Sequence, residues 1–540
     1  MAMRVAVVGA TGNTGTALLS ELSSRPEVTS VLGIARRLPH SDSEPYEHAE
    51  WATVDIQDPD SRGKLASLFA DVDAVVHLAW LIQPNSQREL LRRVNVEGTQ
   101  NVLEAAAAAG VRRIAVASSV GAYSPVQDDR RRDETWPTEG IPGSHYSQDK
   151  AAQERVIDTF VAEHPDISVA RLRPGLIFQA SAGAEIQRYF LGRAAPVQLL
   201  GAVRLPALPV PAGVRAQAVH AADVAVAYAE VIIRGAHGAY NIASDDVLDA
   251  QSMADTVSPH GGGARGLPLP MTLTRPMVKA LHRSRLVPMD EGWLDMATTA
   301  PMMDITKAKN ELGWQPRTTG AQALAELLDG LRSGRGARSA PMRPRGRSPV
   351  ASPPLPRRGH RVPEDLDRDL LRSYMADHLA GATAGMKRIQ RMAEAFEDAP
   401  VYPQLSEVSH RICAERSWLK ELIRRQGFHR PAVRASVSWA GERLARLKPY
   451  STPPAKRSPA ALVLEAELMI GAITAKQKGW EALAEYAPYL GLVESVFEDL
   501  VSAANDQARH MSEVHRYARR RAFYLSAGPI EETSERGQQG

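Results

Sequence analysis

The sequence predicts an α/β unit built on a doubly wound parallel sheet with a small second lobe, then a basic linker and an all-α, four-helix-bundle-like unit. Three observations carry this. Short β-branched runs alternate with helical stretches through the early chain, and arginine, proline, glycine and serine dominate from Arg332 to Pro363. Beyond that point, apolar residues recur at three- and four-residue spacing. With 540 residues, more than one domain is required. The divisions drawn are 1–331, a disordered linker 332–363, a helical bundle 364–525 and a disordered tail 526–540.

Val5-Ala6-Val7-Val8 is too short for a helix and is bounded by Gly9, so it reads as the first strand. Gly9-Ala10-Thr11-Gly12-Asn13-Thr14-Gly15 follows and leads into the helical composition of Thr16–Leu22. Strand, glycine turn and helix N-terminus together suit a pyrophosphate. Gly9 permits the turn, Gly12 lets backbone approach phosphate, and Gly15 lets helix and strand pack closely. The spacing is Gly-x-x-Gly-x-x-Gly.

The second strand, Ser30–Ile34, ends in Ala35-Arg36-Arg37. No carboxylate stands there to hold a ribose 2′-hydroxyl. The two arginines suit either a 2′-phosphate or a solvated basic turn, which favours NADP with NAD as the alternative. A third strand, Trp51–Val54, leads to Asp55-Ile56 at the adenine edge. A fourth, Ala74–Leu78, precedes Ala79-Trp80. The helix Glu89–Ala108 carries Asn95, and a fifth strand, Arg113–Ala117, runs into Ser118-Ser119. This recurrence predicts a Rossmann-like sheet with its ligand at the strands' C-terminal ends.

Tyr146 and Lys150 are four residues apart at the start of an Ala/Glu/Arg-rich helix, hence on one face. A phenol titrates near ~10 and needs a neighbouring cation to exchange protons readily at neutral pH. Lys150 is the cation on offer.

Residues 3–330 resemble the extended short-chain dehydrogenases/reductases, the family of NAD-dependent epimerases and dehydratases. The resemblance rests on Gly9/Gly12/Gly15, Asp55-Ile56, His77-Leu78-Ala79, Asn95-Val96-x-Gly98-Thr99, Ser118-Ser119 and Tyr146-x-x-x-Lys150. It continues through Arg173-Pro174-Gly175, Val219-His220-x-x-Asp223-Val224, Tyr240-Asn241 and the stretch from Asp304-Ile305 to Leu312-Gly313-Trp314-x-Pro316. It implies a catalytic serine, tyrosine and lysine, here Ser119 (placed by the following Val120-Gly121-Ala122-Tyr123), Tyr146 and Lys150. Ser119 would bond the substrate oxygen, Tyr146 would carry the proton, and Lys150 would lower the phenol and hold the nicotinamide ribose. The implied cofactor contacts are Gly9, Thr11, Gly12, Asn13, Thr14, Gly15, Arg36, Arg37, Asp55, Ile56, Leu78, Ala79, Asn95, Pro174, Tyr146 and Lys150. Asn95 is equally readable as a helix-packing amide.

One departure matters. Relatives that dehydrate nucleotide sugars carry an acidic pair after the serine/threonine position, whereas Val120 and Gly121 stand here. Dehydration is therefore disfavoured, leaving carbonyl/alcohol redox or epimerisation, with a nucleotide sugar as one candidate substrate. Arg188, Arg193, Arg204 and Arg215 are candidates for a diphosphate, and His220 and Asp223 read as packing and loop-fixing residues. The alternative function is a nucleotide-binding sensor or scaffold that meets a protein partner through its bundle.

The bundle's helices are expected at Asp365–Glu397, Pro403–Gln426, Ala432–Leu447, Pro459–Glu485 and Tyr489–Tyr524. Small residues in Asp377–Gly385 predict close helix approach. Glu407-x-x-His410 has the spacing of a di-iron bundle, but a second such motif is missing and no metal is expected. A docking or oligomerisation role is the reading for this unit. Net charge is +3, with the basic excess concentrated in the linker, so no specific nucleic-acid binding is expected. No apolar run is long enough for a membrane span. Cys413, the one cysteine, fits a reducing, cytoplasmic setting.

Overall fold

Alternation builds the first strand: β1 (Met3–Val8) turns Val5 and Val7 to one core layer and Ala6 and Val8 to the other. The computed structural model describes residues 2–82, 87–191, 207–257, 264–284, 287–342, 353–356, 366–396, 399, 401–428 and 459–522. They divide into two units, Met1–Gly346 and Arg347–Gly540.

In the first unit β1 is followed by α1 (Asn13–Ser23), β2 (Val28–Ala35), β3 (Glu50–Thr53), α2 (Ser61–Leu68) and β4 (Ala74–His77). Then come α3 (Gly98–Ala108), β5 (Arg113–Ala117), α4 (His145–Glu163), β6 (Ser168–Pro174), α5 (Ala221–Arg234) and β7 (Gly238–Ile242). The seven strands form one parallel sheet in the order β7-β6-β5-β4-β1-β2-β3. Leu18, Leu19 and Leu22 of α1 and Val224, Tyr228 and Ile232 of α5 fill one layer. Leu65, Val102, Leu103, Ile157 and Phe160 fill the other. Burying both faces explains why the strands are continuous apolar runs. Later in the unit lie α6 (Glu291–Thr299) and α7 (Gly320–Ser333), the latter closed at its start by a Thr319/Gln322 capping box.

Two expectations change here. The helix expected over Glu89–Ala108 is continuous but irregular: Arg88–Arg92 is α-helical, Arg93–Glu97 is a π-turn, and α3 follows without a gap. The turn places the Asn95 amide against Leu81, accepting from its N–H at 2.7 Å and donating to its carbonyl at 2.9 Å. The linker expected from 332 also begins later. Arg332 and Ser333 belong to α7, and Ser339, Ala340 and Met342 are buried. The Ser339 hydroxyl donates to the Thr11 carbonyl at 2.8 Å, and Thr16 Oγ1 donates to Met342 Sδ at 3.2 Å while bonding the Tyr46 hydroxyl at 3.0 Å. A few small and apolar side chains among many arginines are enough to dock this stretch. The remaining linker residues 343–352 and 357–363, the expected helix Ala432–Leu447 and the tail 526–540 lie outside the described residues.

Four helices of the second unit are described: α8 (Arg368–Ala395), α9 (Tyr402–Arg425), α10 (Pro459–Glu485) and α11 (Ser495–Ala522). Trp418, Trp480 and Phe497 meet at 5.9–6.3 Å in their shared core. Glu407 accepts from its own-helix neighbour Arg411 at 2.7 Å. In the small-residue segment of α8, helices approach closely at His378, where a Cβ on Gly479 would stand 2.5 Å from the ring, while Gly381, Ala382 and Gly385 line a cavity of about 390 Å³ with Ala472. A Cβ at Gly381 or Gly385 would meet nothing within 4 Å. Each mid-helix glycine costs roughly 1 kcal/mol against alanine. Gly381→Ala with Gly385→Ala should therefore stabilise this unit by about 1–2 kcal/mol, read as a higher urea midpoint; an unchanged or lower midpoint contradicts it.

Candidate active site

The sheet reverses direction of growth between β1 and β4, and the crevice outside their C-terminal ends is where doubly wound sheets hold ligands. Gly9 closes β1 with φ +91°, and a Cβ there would stand 2.6 Å from the Ala79 nitrogen at the end of β4. At Gly15 a Cβ would stand 2.5 Å from the Gly9 carbonyl oxygen, so strand and helix touch through glycine. Gly12 differs: its nearest neighbour would be the Gly9 oxygen at 3.7 Å. It is the N-cap of α1, and no side chain caps that helix. An open backbone at an uncapped helix start fits a pyrophosphate.

The neighbours of this loop are ordered from distant parts of the chain. Asn13 donates to the Ile177 carbonyl at 3.1 Å and its side chain accepts from Gln179 at 2.8 Å. Thr11 is buried, Thr14 half-buried, and Arg36 and Arg37 are half-buried just past β2. The Asp55 carboxylate accepts from the Gln57 side chain at 3.0 Å, while Ile56 is buried against Gly98. Leu78 and Ala79 are half-buried beyond β4, and Pro174 ends β6.

Beside this crevice α4 begins at Ser144, whose hydroxyl accepts from the Ser147 N–H at 3.3 Å. The first turn is pinned to the loop after β5 by Ser147, which receives the Ile141 N–H at 2.6 Å and donates to the Gly121 carbonyl. This brings Tyr146 to Ser119. Ser119 Oγ accepts from the Gly121 N–H at 3.0 Å, and a Cβ at Gly121 would stand 2.9 Å from the Tyr146 ring. Burial raises the Tyr146 phenol above its ordinary value, and the nearby Ser119 hydroxyl partly offsets this.

Lys150 Nζ donates to the Ala117 carbonyl at 2.7 Å and to Gln153 Oε1 at 3.0 Å, and stands 3.5 Å over the Trp80 ring. Burial pushes it well below the usual lysine range, against the pull of the Glu154 carboxylate. The lowering of Tyr146 expected from Lys150 is thus not what this arrangement produces. The ammonium is directed to Ala117, Gln153 and Trp80, and the phenol is raised. His77, buried beside Lys150, is held down to about 3, and its Nε2 bonds Thr99 at 3.0 Å.

Sequence reasoning passed over two parts of the site. One is Glu154, a helical turn beyond Lys150 and fully buried. It accepts from Ser118 Oγ at 2.5 Å, Arg171 at 2.8 Å and Arg173 at 2.9 and 3.0 Å. Burial alone would raise this carboxyl, but the two guanidiniums outweigh it and hold it at about 2. Its four-residue offset from Lys150 was the available signal. The other part is aromatic: Trp80 and Trp293 pack against Tyr146 at ring distances of 5.8 and 4.9 Å. Trp80 Nε1 is buried with no partner among the described residues.

Asp223 accepts the N–H groups of Arg317 and Thr318, each at 3.1 Å, and His220 caps α5 while meeting Glu326 at 3.0 Å. Arg215 is paired with Asp129 and donates to the Asp128 carbonyl at 2.6 Å. Arg193, Arg204 and the side chain of Arg188 lie outside the described residues.

The model of the NAD dependent epimerase/dehydratase family matches residues 5–243. L-arabinose 1-dehydrogenase (NAD(P)(+)) of Haloferax volcanii is 30% identical over 187 residues, covering 33% of this chain and 68% of that protein. The chain belongs to this family. A second relative in the comparison, a putative dihydroflavonol 4-reductase of Synechocystis, is 28% identical over 332 residues, 60% of this chain and 92% of that one. Among solved structures, Thermus thermophilus UDP-glucose 4-epimerase in complex with NAD aligns over 61% of this chain and 99% of its own, at 20% identity and a TM-score of 0.44. The family is NAD-dependent by description. Among the described residues, no helix is long and apolar enough to cross a membrane.

Proposed function

We propose that this family member is an NAD(P)-dependent oxidoreductase of a carbonyl or alcohol carbon, with Tyr146 as proton carrier. The carrying observation is the placement of Tyr146 beside Ser119 and Gly121 past the end of β5, with Lys150 one helical turn on. A bound nicotinamide supplies hydride chemistry at the substrate carbon. Ser119 orients the substrate oxygen, and Tyr146 gives it a proton in reduction or takes one in oxidation. The backbone of Gly12, Asn13 and Thr14 holds the pyrophosphate, Asp55 and Ile56 the adenine side, and Leu78, Ala79, Asn95 and Pro174 the remaining walls. Lys150 bonds the ribose.

Dehydration is disfavoured at this site. A Cβ at Gly121 would come within 2.9 Å of the Tyr146 ring, so that position has no room for a carboxylate, and Val120 has none. The dehydrogenase and reductase named above support simple redox.

Arg36 and Arg37 follow β2 where a carboxylate would select NAD, which favours NADP. NADPH should bind at least tenfold more tightly than NADH, and Arg36→Ala with Arg37→Ala should erase the difference. Titration calorimetry decides it, and an NADH preference in the unaltered chain would sink the assignment.

A further inference from the structure

The surroundings of Tyr146 are aromatic rather than charged. Trp293 tilts over its ring by 35° at 4.9 Å, Trp80 meets it edge-on at 5.8 Å, and Phe190 stands nearly perpendicular to Trp293 at 4.9 Å. Met296 closes the side toward Gly121, where a Cβ would lie 3.1 Å from its sulfur. Ile141, Trp293 and Met296 are buried, whereas Trp80, Ile82, Tyr146 and Phe190 are only partly so. This cluster is therefore not a sealed core. Trp80, Ile82 and Phe190 keep part of their surface exposed near the proton carrier, and an apolar ligand would cover it.

Among the described residues charge points the same way. A diphosphate needs cations, and the described ones facing α6, the helix that carries Trp293, are already neutralised by it. Arg275 pairs with Asp295, and Lys279 lies 3.4 Å from Glu291. Arg215 is paired with Asp129. The buried, unpartnered Trp80 Nε1 adds a single neutral donor beside Lys150.

We propose that the substrate is an uncharged aryl or ring-fused ketone, or the matching alcohol, with its ring against Trp293 and Phe190 and its oxygen at Ser119 and Tyr146. The proposal rests on the redox reading above. In reduction the carbonyl π pair moves to oxygen, where the Tyr146 proton forms the O–H bond. The carbon gains its C–H bond from the hydride of NAD(P)H, which leaves as NAD(P)⁺, and the phenolate recovers a proton from water. Offset or edge-to-face stacking on the two rings supplies orientation as well as affinity.

The test titrates 1-tetralone and, separately, UDP-glucose into the full chain saturated with NADP⁺ or NAD⁺, by calorimetry and tryptophan fluorescence, alongside turnover of tetralone with the reduced cofactors and of UDP-glucose with the oxidised ones. Tetralone should bind saturably and quench fluorescence, and UDP-glucose should not bind. Trp293→Leu and Phe190→Ala should each weaken tetralone at least tenfold. Phe190 is partly exposed, so its variant keeps the fold, which circular dichroism verifies. Tighter binding of UDP-glucose, no saturable tetralone binding, or unchanged affinity in Phe190→Ala would overturn the proposal. Tetralone bound but never reduced would uphold the substrate class and sink the redox reading; turnover of UDP-glucose alone would do the reverse.

Discussion

Tyr146→Phe lowers turnover by about 10²–10⁴-fold and leaves cofactor affinity within twofold. The substitution removes one oxygen and keeps the ring that Trp80 and Trp293 hold. Ser119 keeps the Gly121 N–H, so the local backbone has no cause to move. Lys150 does not depend on the phenol either, because its partners are Ala117, Gln153 and the Trp80 ring. The loss should thus fall on kcat. NAD(P)H oxidation against a reducible ketone, with cofactor affinity measured in parallel, separates the two effects. Turnover equal to that of the unaltered chain would remove Tyr146 from the chemistry.

Glu154→Gln destabilises the first unit by about 3–5 kcal/mol at neutral pH. The carboxylate is fully buried and neutralises Arg171 and Arg173 together, so its loss leaves guanidinium charge uncompensated in the protein interior. The same pairing makes stability depend on acid. The folded-state value of about 2 lies below the ordinary 4.5, so its contribution is fully present above pH ~4.5 and is lost as pH falls toward 2. That gap is worth about 3 kcal/mol. Urea unfolding of both proteins across this range should show the difference at pH 7 and convergence near pH 2. Parallel curves at all pH values would mean the carboxylate is not the linked group.

What could be read from the sequence was local or periodic. The β1 run, the glycine loop and the helix after it follow from spacing alone, and Tyr146 and Lys150 share a face by the helical repeat. The aromatic wall was invisible for a physical reason: Trp80, Phe190 and Trp293 come from three separate segments, and only the finished fold brings Trp80 and Trp293 to one phenol and Phe190 to Trp293. Glu154 was legible in principle, one turn past Lys150, but its partners lie across the sheet on β6. The small residues of α8 allow close approach without compelling it: the fold uses that closeness at His378 and leaves a cavity beside Gly381 and Gly385. Residues 334–342 were misread by averaging: arginine-rich composition hid Ser339, Ala340 and Met342, three buried anchors.

Those anchors bear on where the chain can be cut. A protein trimmed at Leu331, where strand and helix content suggests a natural end, would keep every strand of the sheet. It would also strip the cover from the back of the glycine loop, leaving the Thr11 carbonyl without Ser339 and the Thr16–Tyr46 pair without Met342. The smallest piece that can serve as a faithful cofactor-binding module is therefore longer than its sheet, and ends beyond Met342.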